Sequence, residues 1–175
     1  RGHDVTLYEA DGDLGGQLRL AARIPGKEDY GLFVDAYRRQ LEEAGVQVHT
    51  GAAITLDALL AESYDDVVIA TGVLPRAIDI PGCDDPRVVG YTSVLDGSCK
   101  PGERVVIIGG GGIGHDVALY LATGETYAPL TIEAFEQRWG IGRPRQTQPA
   151  RRQVTMVKRS PGAFGRTLGK STGWI

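Results

Sequence analysis

The feature that most constrains this chain is an apolar strand pattern, Arg104-Val105-Val106-Ile107-Ile108, running without a break into Gly109-Gly110-Gly111-Gly112-Ile113-Gly114. Ile113, Val117, Ala118 and Leu121 then recur at helical spacing, so the glycines lie between a strand and an amphipathic helix. Gly109, Gly111 and Gly114 satisfy G-x-G-x-x-G. Glycine supplies 25 of 175 residues, so the bare pattern would also arise by accident; the strand–turn–helix setting gives it meaning. There, one glycine makes the tight turn, the second lets backbone approach a pyrophosphate, and the third lets helix and strand pack closely. The helix N-terminus adds free N–H groups and about half a positive charge. These three glycines, with Ile113 among them, are candidate nucleotide-binding residues.

The next strand pattern, Gln153 to Val157, ends in Lys158-Arg159-Ser160 rather than in the acid that would hold a ribose 2′-hydroxyl. An acid there would repel a 2′-phosphate, whereas cations and a hydroxyl hold one. Lys158 and Arg159 therefore predict NADPH over NADH. Their distance from Gly114 exceeds the usual ~20 residues, so residues 123–150 are expected to loop out as an insertion. That insertion carries one short amphipathic helix with Ile132, Phe135 and Trp139. Charge is also uneven: net charge is −3, yet residues 137–175 hold nine basic side chains and no acid. Such a segment attracts polyanions. It lacks the interleaved aromatics of a single-strand stacking platform, so nucleic acid is not the expected partner.

Upstream, Val5 to Glu9 alternates like a strand and ends in an acid, and Gly15-Gly16 breaks the chain. Between Glu28 and Ala44, Tyr30, Phe33, Val34, Tyr37 and Leu41 mark one helical face, with Asp35/Arg39, Arg38/Glu42 and Arg39/Glu43 at i, i+4 outside. Gly45 ends that helix, and Val46–His49 reads as a strand. Asp66 to Ala70 reads as a buried parallel strand leading into Thr71-Gly72. Alternating strands and helices imply an α/β fold with parallel, Rossmann-like sheets. No apolar run reaches ~18 residues, so no membrane span is expected. No signal-peptide pattern opens the chain, and two distant cysteines, Cys83 and Cys99, suit a reducing, cytoplasmic setting. Alone they cannot form a four-thiolate cluster.

Glu9 is either an ordinary exposed carboxylate or the ribose-binding acid of a second nucleotide unit whose fingerprint would precede Arg1. Gly15-Gly16-Gln17, Ala70-Thr71-Gly72 and Arg76 agree with the second reading, in which this chain is a fragment.

The segments GHDVTLYEA, GGQLRLAARIPGK, VVIATGVLPR, RVVIIGGGGIGHDVALYL and LGKSTGWI together resemble the C-terminal half of bacterial NADPH-dependent 2,4-dienoyl-CoA reductases, flavoproteins related to trimethylamine dehydrogenase and to NADH:flavin oxidoreductases. The resemblance implies an FAD-binding domain with an inserted NAD(P)-binding domain, both incomplete. Residues 1–100 would be a partial FAD domain without its first strand and fingerprint, and 101–175 a partial NADPH domain with the insertion at 123–150. Glu9 would hold the FAD ribose, Gly16 and Gln17 would approach the flavin nucleotide, and Ala70, Thr71, Gly72 and Arg76 would pass beside it. NADPH would lie over Gly109, Gly111 and Gly114, with Lys158 and Arg159 at its 2′-phosphate. In such enzymes hydride passes from NADPH to FAD. Electrons then reach FMN in an N-terminal barrel through a 4Fe–4S cluster, and the barrel reduces a dienoyl-CoA in fatty acid degradation. FMN, the cluster and the acyl-CoA site would belong to that parent barrel alone. The implied role here is an electron-input module, inactive by itself, poorly stable and weak for FAD.

Three rivals are weighed against that reading. Leu168-Gly169-Lys170-Ser171 is tempting as a P-loop, but its first glycine should stand where Phe164 does. A disulfide reductase lacks the C-x-x-C pair it would need. A non-catalytic adenine-nucleotide-binding module, as in relatives that keep ADP in place of FAD, stays open. His3, His49 and His115 have no metal-ligand spacing; His115 is expected to cap or face the helix after the fingerprint.

Overall fold

The protein is described by a computed structural model covering residues 2–124, 131–142 and 149–165. The P-loop-like segment at 168–171, the LGKSTGWI stretch and the basic residues Arg143, Arg145, Arg166 and Lys170 lie outside the described residues. The chain divides into two compact units, Arg1–Ala22 with Asp29–Val88, and Arg23–Glu28 with Val89–Ile175.

In the first unit, strand β1 (Thr6–Tyr8) is followed by helices α1 (Gln17–Ala21) and α2 (Asp29–Glu43), strand β2 (Gln47–His49) and helix α3 (Leu56–Ala61). β1 and β2 pair in parallel with Thr6 opposite Gln47 and Tyr8 opposite His49. Parallel strands need a crossover connection, and here it contains α1 and α2. The Tyr8 and His49 rings stack 5.1 Å apart at that pair. α2 ends as its sequence predicts: Gly45 N–H donates to Glu42 O and Val46 N–H to Leu41 O, the paired bonds of a glycine-terminated helix. Its apolar face is only partly used. Val34 is buried, whereas Tyr30, Phe33 and Tyr37 are exposed. Val34 packs against Gly15, where a Cβ would stand 2.8 Å from Val34 Cγ2. The expected i, i+4 ion pairs are replaced by Arg38 pairing with Asp35 and with Asp13. Reach to the loop after β1 competes successfully with reach along the helix.

The buried strand expected at Asp66–Ala70 does not form. Residues 66–79 are irregular, with Val68 87% and Leu74 92% exposed. A strand exists only through a ladder partner. β1 and β2 pair with each other, and no described strand runs beside 66–70. Apolar, β-branched composition alone therefore cannot bury it.

The second unit contains helix α4 (Tyr91–Leu95), strand β3 (Arg104–Ile108), helix α5 (Gly112–Thr123), helix α6 (Ile132–Trp139) and strand β4 (Gln153–Val157). β3 and β4 pair in parallel from Arg104 opposite Gln153 to Ile108 opposite Val157. Both alternate between exposed and half-buried residues, with α5 packed on the pair. Most of the buried apolar core lies in this unit: Ile24, Val94, Leu95, Val117, Tyr120 and Leu121. Ile24 belongs to the short 23–28 segment, which is fastened by Lys27 donating to both Asp116 carboxylate oxygens, at 2.8 and 2.7 Å. Arg151 N–H donates to Ala122 O at 2.7 Å, so the residues leading into β4 lie beside the end of α5. Between them, α6 starts at Thr131, whose hydroxyl accepts from Ala134 N–H, and stops at the left-handed Gly140.

Candidate nucleotide-binding site

The glycine loop joins the C-terminal end of β3 to the N-terminus of α5, and each glycine of the motif meets a different demand. Gly109 has φ +130°, a turn conformation closed to ordinary side chains. A Cβ on Gly111 would meet nothing within 4 Å, so the backbone there is bare toward open space that a ligand can use. A Cβ on Gly114 would lie 2.5 Å from Gly109 O and 3.5 Å from Met156 Cε, so only glycine lets α5 approach the sheet this closely. Gly111 is the helix N-cap and has no side-chain cap, leaving the first-turn N–H groups available for an anion. Ile113 is exposed in that first turn. His115 lies within the first turns of α5, and its Nδ1–H donates back to Gly111 O at 2.9 Å.

The basic pair stands beside this loop. Gly109 N–H donates to Val157 O at 2.8 Å, which aligns the ends of β3 and β4 and delivers Lys158 and Arg159 to the same strand end. Lys158 is half-buried and Arg159 exposed. Lys158 Nζ donates to Ala163 O at 2.6 Å and lies 5.1 Å from the centre of the Phe164 ring. Phe164 in turn meets the His115 ring edge-on at 6.0 Å. Sequence reading missed this aromatic contact; Phe164 figured there only as a mismatch to a P-loop. The one hint available was an aromatic six residues beyond the Lys158 that it covers.

An open cavity of about 430 Å³ in the same unit is lined by Pro101, Gly102, Glu103, Arg151 and Arg152. It borders the N-terminal ends of β3 and β4. Ligands of α/β sheets bind at the carboxyl ends, which is where the glycine loop and the cations lie.

In the first unit, Glu9 follows β1 directly. Its backbone N–H donates to His49 O at 2.9 Å, and its carboxylate accepts from Asp11 N–H at 2.9 Å. Gly16, at φ +43°, caps α1, and its carbonyl accepts from Arg19 N–H. Gln17 opens that helix. Ala70, Thr71, Gly72 and Arg76 occupy the exposed irregular stretch. Next to Glu9, the pKa of the Tyr8 phenol is raised chiefly by its hydrogen bond with Tyr64, 3.0 Å away, and then by burial.

Cys83 and Cys99 are free thiols. Among the described residues no group of His, Cys, Asp and Glu could hold a metal ion, and no helix is long and apolar enough to cross a membrane.

Known proteins agree with this architecture. A metal reductase of Desulforamulus reducens is 34% identical over 99% of this chain and 27% of its own length. An NADH oxidase of Thermoanaerobacter brockii is 40% identical over 75% of the chain and 21% of its own. The solved structure of a 2-naphthoyl-CoA reductase with 2-naphthoyl-CoA superposes with a TM-score of 0.69 at 26% identity, over 90% of this chain and 24% of that one. The chain thus spans about a quarter of the length of such relatives. The fold is the FAD/NAD(P)-binding, Rossmann-like α/β fold, and the chemistry is that of a flavin-dependent pyridine-nucleotide oxidoreductase module. On the match of residues 2–173 to its family model, the chain belongs to the pyridine nucleotide-disulphide oxidoreductase family.

Proposed function

We propose that the chain is the electron-input module of a flavin-dependent reductase and takes NADPH in preference to NADH. The observation that carries this reading is the pairing of an open glycine loop after β3 with two cations, and no acid, after the adjacent parallel strand β4. Gly109, Gly111 and Gly114 would hold the pyrophosphate through bare backbone and the α5 N-terminus, and Lys158 and Arg159 the 2′-phosphate. In the first unit, Glu9 would accept from the FAD ribose after exchanging its bond to Asp11 N–H. Gly16 and Gln17 would lie against the flavin nucleotide, and Ala70, Thr71, Gly72 and Arg76 beside it. When bound, the two cofactors supply hydride transfer from NADPH to FAD; the residues named here bind and orient them.

In the whole protein the electrons would pass to an N-terminal barrel holding FMN and a 4Fe–4S cluster. The proposed final acceptor is a 2,4-dienoyl-CoA of fatty acid degradation. Likeness to 2-naphthoyl-CoA reductase supports an acyl-CoA-reducing parent. The free thiols suit a cytoplasmic setting.

The test is anaerobic titration of the purified, flavin-loaded protein with NADPH and NADH. Bleaching of the flavin absorbance at lower NADPH than NADH is expected, and reoxidation by 2,4-dienoyl-CoA is expected only of the whole protein that carries the barrel. A colourless protein that binds ADP would instead identify a non-catalytic adenine-nucleotide module.

A further inference from the structure

G-x-G-x-x-G leaves its second position open to any residue, yet here that position is Gly110 and it is not free. A Cβ on Gly110 would lie 2.9 Å from both Cδ1 and Cε1 of Phe164 and 3.1 Å from Lys158 Cδ. After β4 the chain reverses through Gly162, at φ +96°. It thereby returns Phe164 onto the loop backbone, with its ring also against His115. The same return places Ala163 O on the Lys158 ammonium and the Phe164 ring beneath it. An ammonium has three donors, and the carbonyl uses one of them. Lys158 is thus held by its stem against Gly110 and by its head against residues 163–164. The long side chain has surrendered its rotamer entropy before any ligand arrives, which lowers the cost of binding.

From this packing we infer that Phe164 is a positioning residue for 2′-phosphate selectivity: its ring, seated on Gly110, fixes Lys158 at a set distance from the pyrophosphate-binding loop. The inference rests on the NADPH reading above and adds the residue that enforces it. Phe164 itself need not touch the nucleotide. Its loss should therefore act on the 2′-phosphate contribution and not on the binding that NADH and NADPH share.

Calorimetric titration of the full chain with NADP⁺ and NAD⁺ tests this. In Phe164→Ala the NADP⁺ dissociation constant is expected to rise roughly 5- to 10-fold while that for NAD⁺ changes less than about 2-fold. Phe164→Tyr, which keeps the ring, should retain the wild-type ratio. Gly110→Ala should impair the wild type in thermal stability and NADP⁺ affinity but cost far less in the Phe164→Ala background, because the clashing ring is gone. A wild type that favours NADP⁺, with a ratio unchanged in Phe164→Ala, overturns the positioning role and leaves the NADPH reading standing. A wild type with no preference for NADP⁺ overturns both. Equal weakening of the two nucleotides in Phe164→Ala would mark Phe164 as loop support alone and likewise overturn the inference.

Discussion

Gly114 sits so close under Gly109 that a single methyl group on it would come within 2.5 Å of the Gly109 carbonyl oxygen, whereas a methyl on Gly111 would touch nothing. Two alanine substitutions in one motif should therefore fail for different reasons. Gly114→Ala forces helix and strand apart and should destabilise the protein by about 1–3 kcal/mol, lowering affinity for both nucleotides. Gly111→Ala, at φ −85°, should leave the melting temperature nearly unchanged yet weaken nucleotide binding at least ~10-fold, because the methyl occupies the space the pyrophosphate needs. Thermal denaturation beside calorimetric titration separates the two outcomes.

The cations at the end of β4 should act on one nucleotide only. Lys158→Ala or Arg159→Ala is expected to raise the NADPH dissociation constant roughly 10-fold, the scale of one charge-assisted hydrogen bond in a partly exposed site. NADH binding should change less than ~2-fold. Raising ionic strength should narrow the gap, since the contact is electrostatic. Arg159→Glu should go further and favour NADH, because a carboxylate there accepts from the 2′-hydroxyl and repels a 2′-phosphate.

Lys27 and Asp116 form a two-pronged ion pair with side-chain exposures of 30% and 21%. Such half-sheltered pairs are worth about 1 kcal/mol. Lys27→Met should lower stability by that amount in chemical denaturation at low salt and by less at about 1 M salt. A double-mutant cycle with Asp116→Asn should return a coupling energy of the same size. Additive effects would mean that the ion pair contributes nothing to holding the 23–28 segment.

Tyr8 carries the main alkaline signature of the first unit. Its hydrogen bond with Tyr64 raises its pKa above the ordinary tyrosine value, with burial adding to the same direction. A group raised in the folded state contributes stability that is fully present below its unfolded pKa, about 10, and is lost as pH rises through the folded value. Carbon-13 NMR of ring-labelled tyrosine should show the Tyr8 phenol titrating above the ordinary tyrosine value. Tyr64→Phe should bring its titration back toward the ordinary value.

Local sequence by itself determined the parts whose cause is local. β3 and β4 fall where alternation and β-branching put them, residue for residue, and α6 begins at a threonine cap and ends at a glycine. The glycine loop was equally legible, because turn geometry and helix–strand approach are written in the residues that make them. Its neighbourhood to Lys158 was legible in outline, since parallel strands of one sheet end on the same side. Contacts between distant residues were decided only in three dimensions. Asp66–Ala70 has the composition of a buried strand and lacks the ladder partner that would make it one. α2 buries Val34, on which Gly15 packs, and leaves Phe33 exposed beside Tyr30 of the same helix. Lys27 finds Asp116 across 89 positions of chain, and Phe164 turns back onto Gly110 from the loop that follows β4. Periodicity fixes backbone conformation, but burial and pairing belong to whichever surface the folded chain brings opposite, and that is a property of tertiary structure.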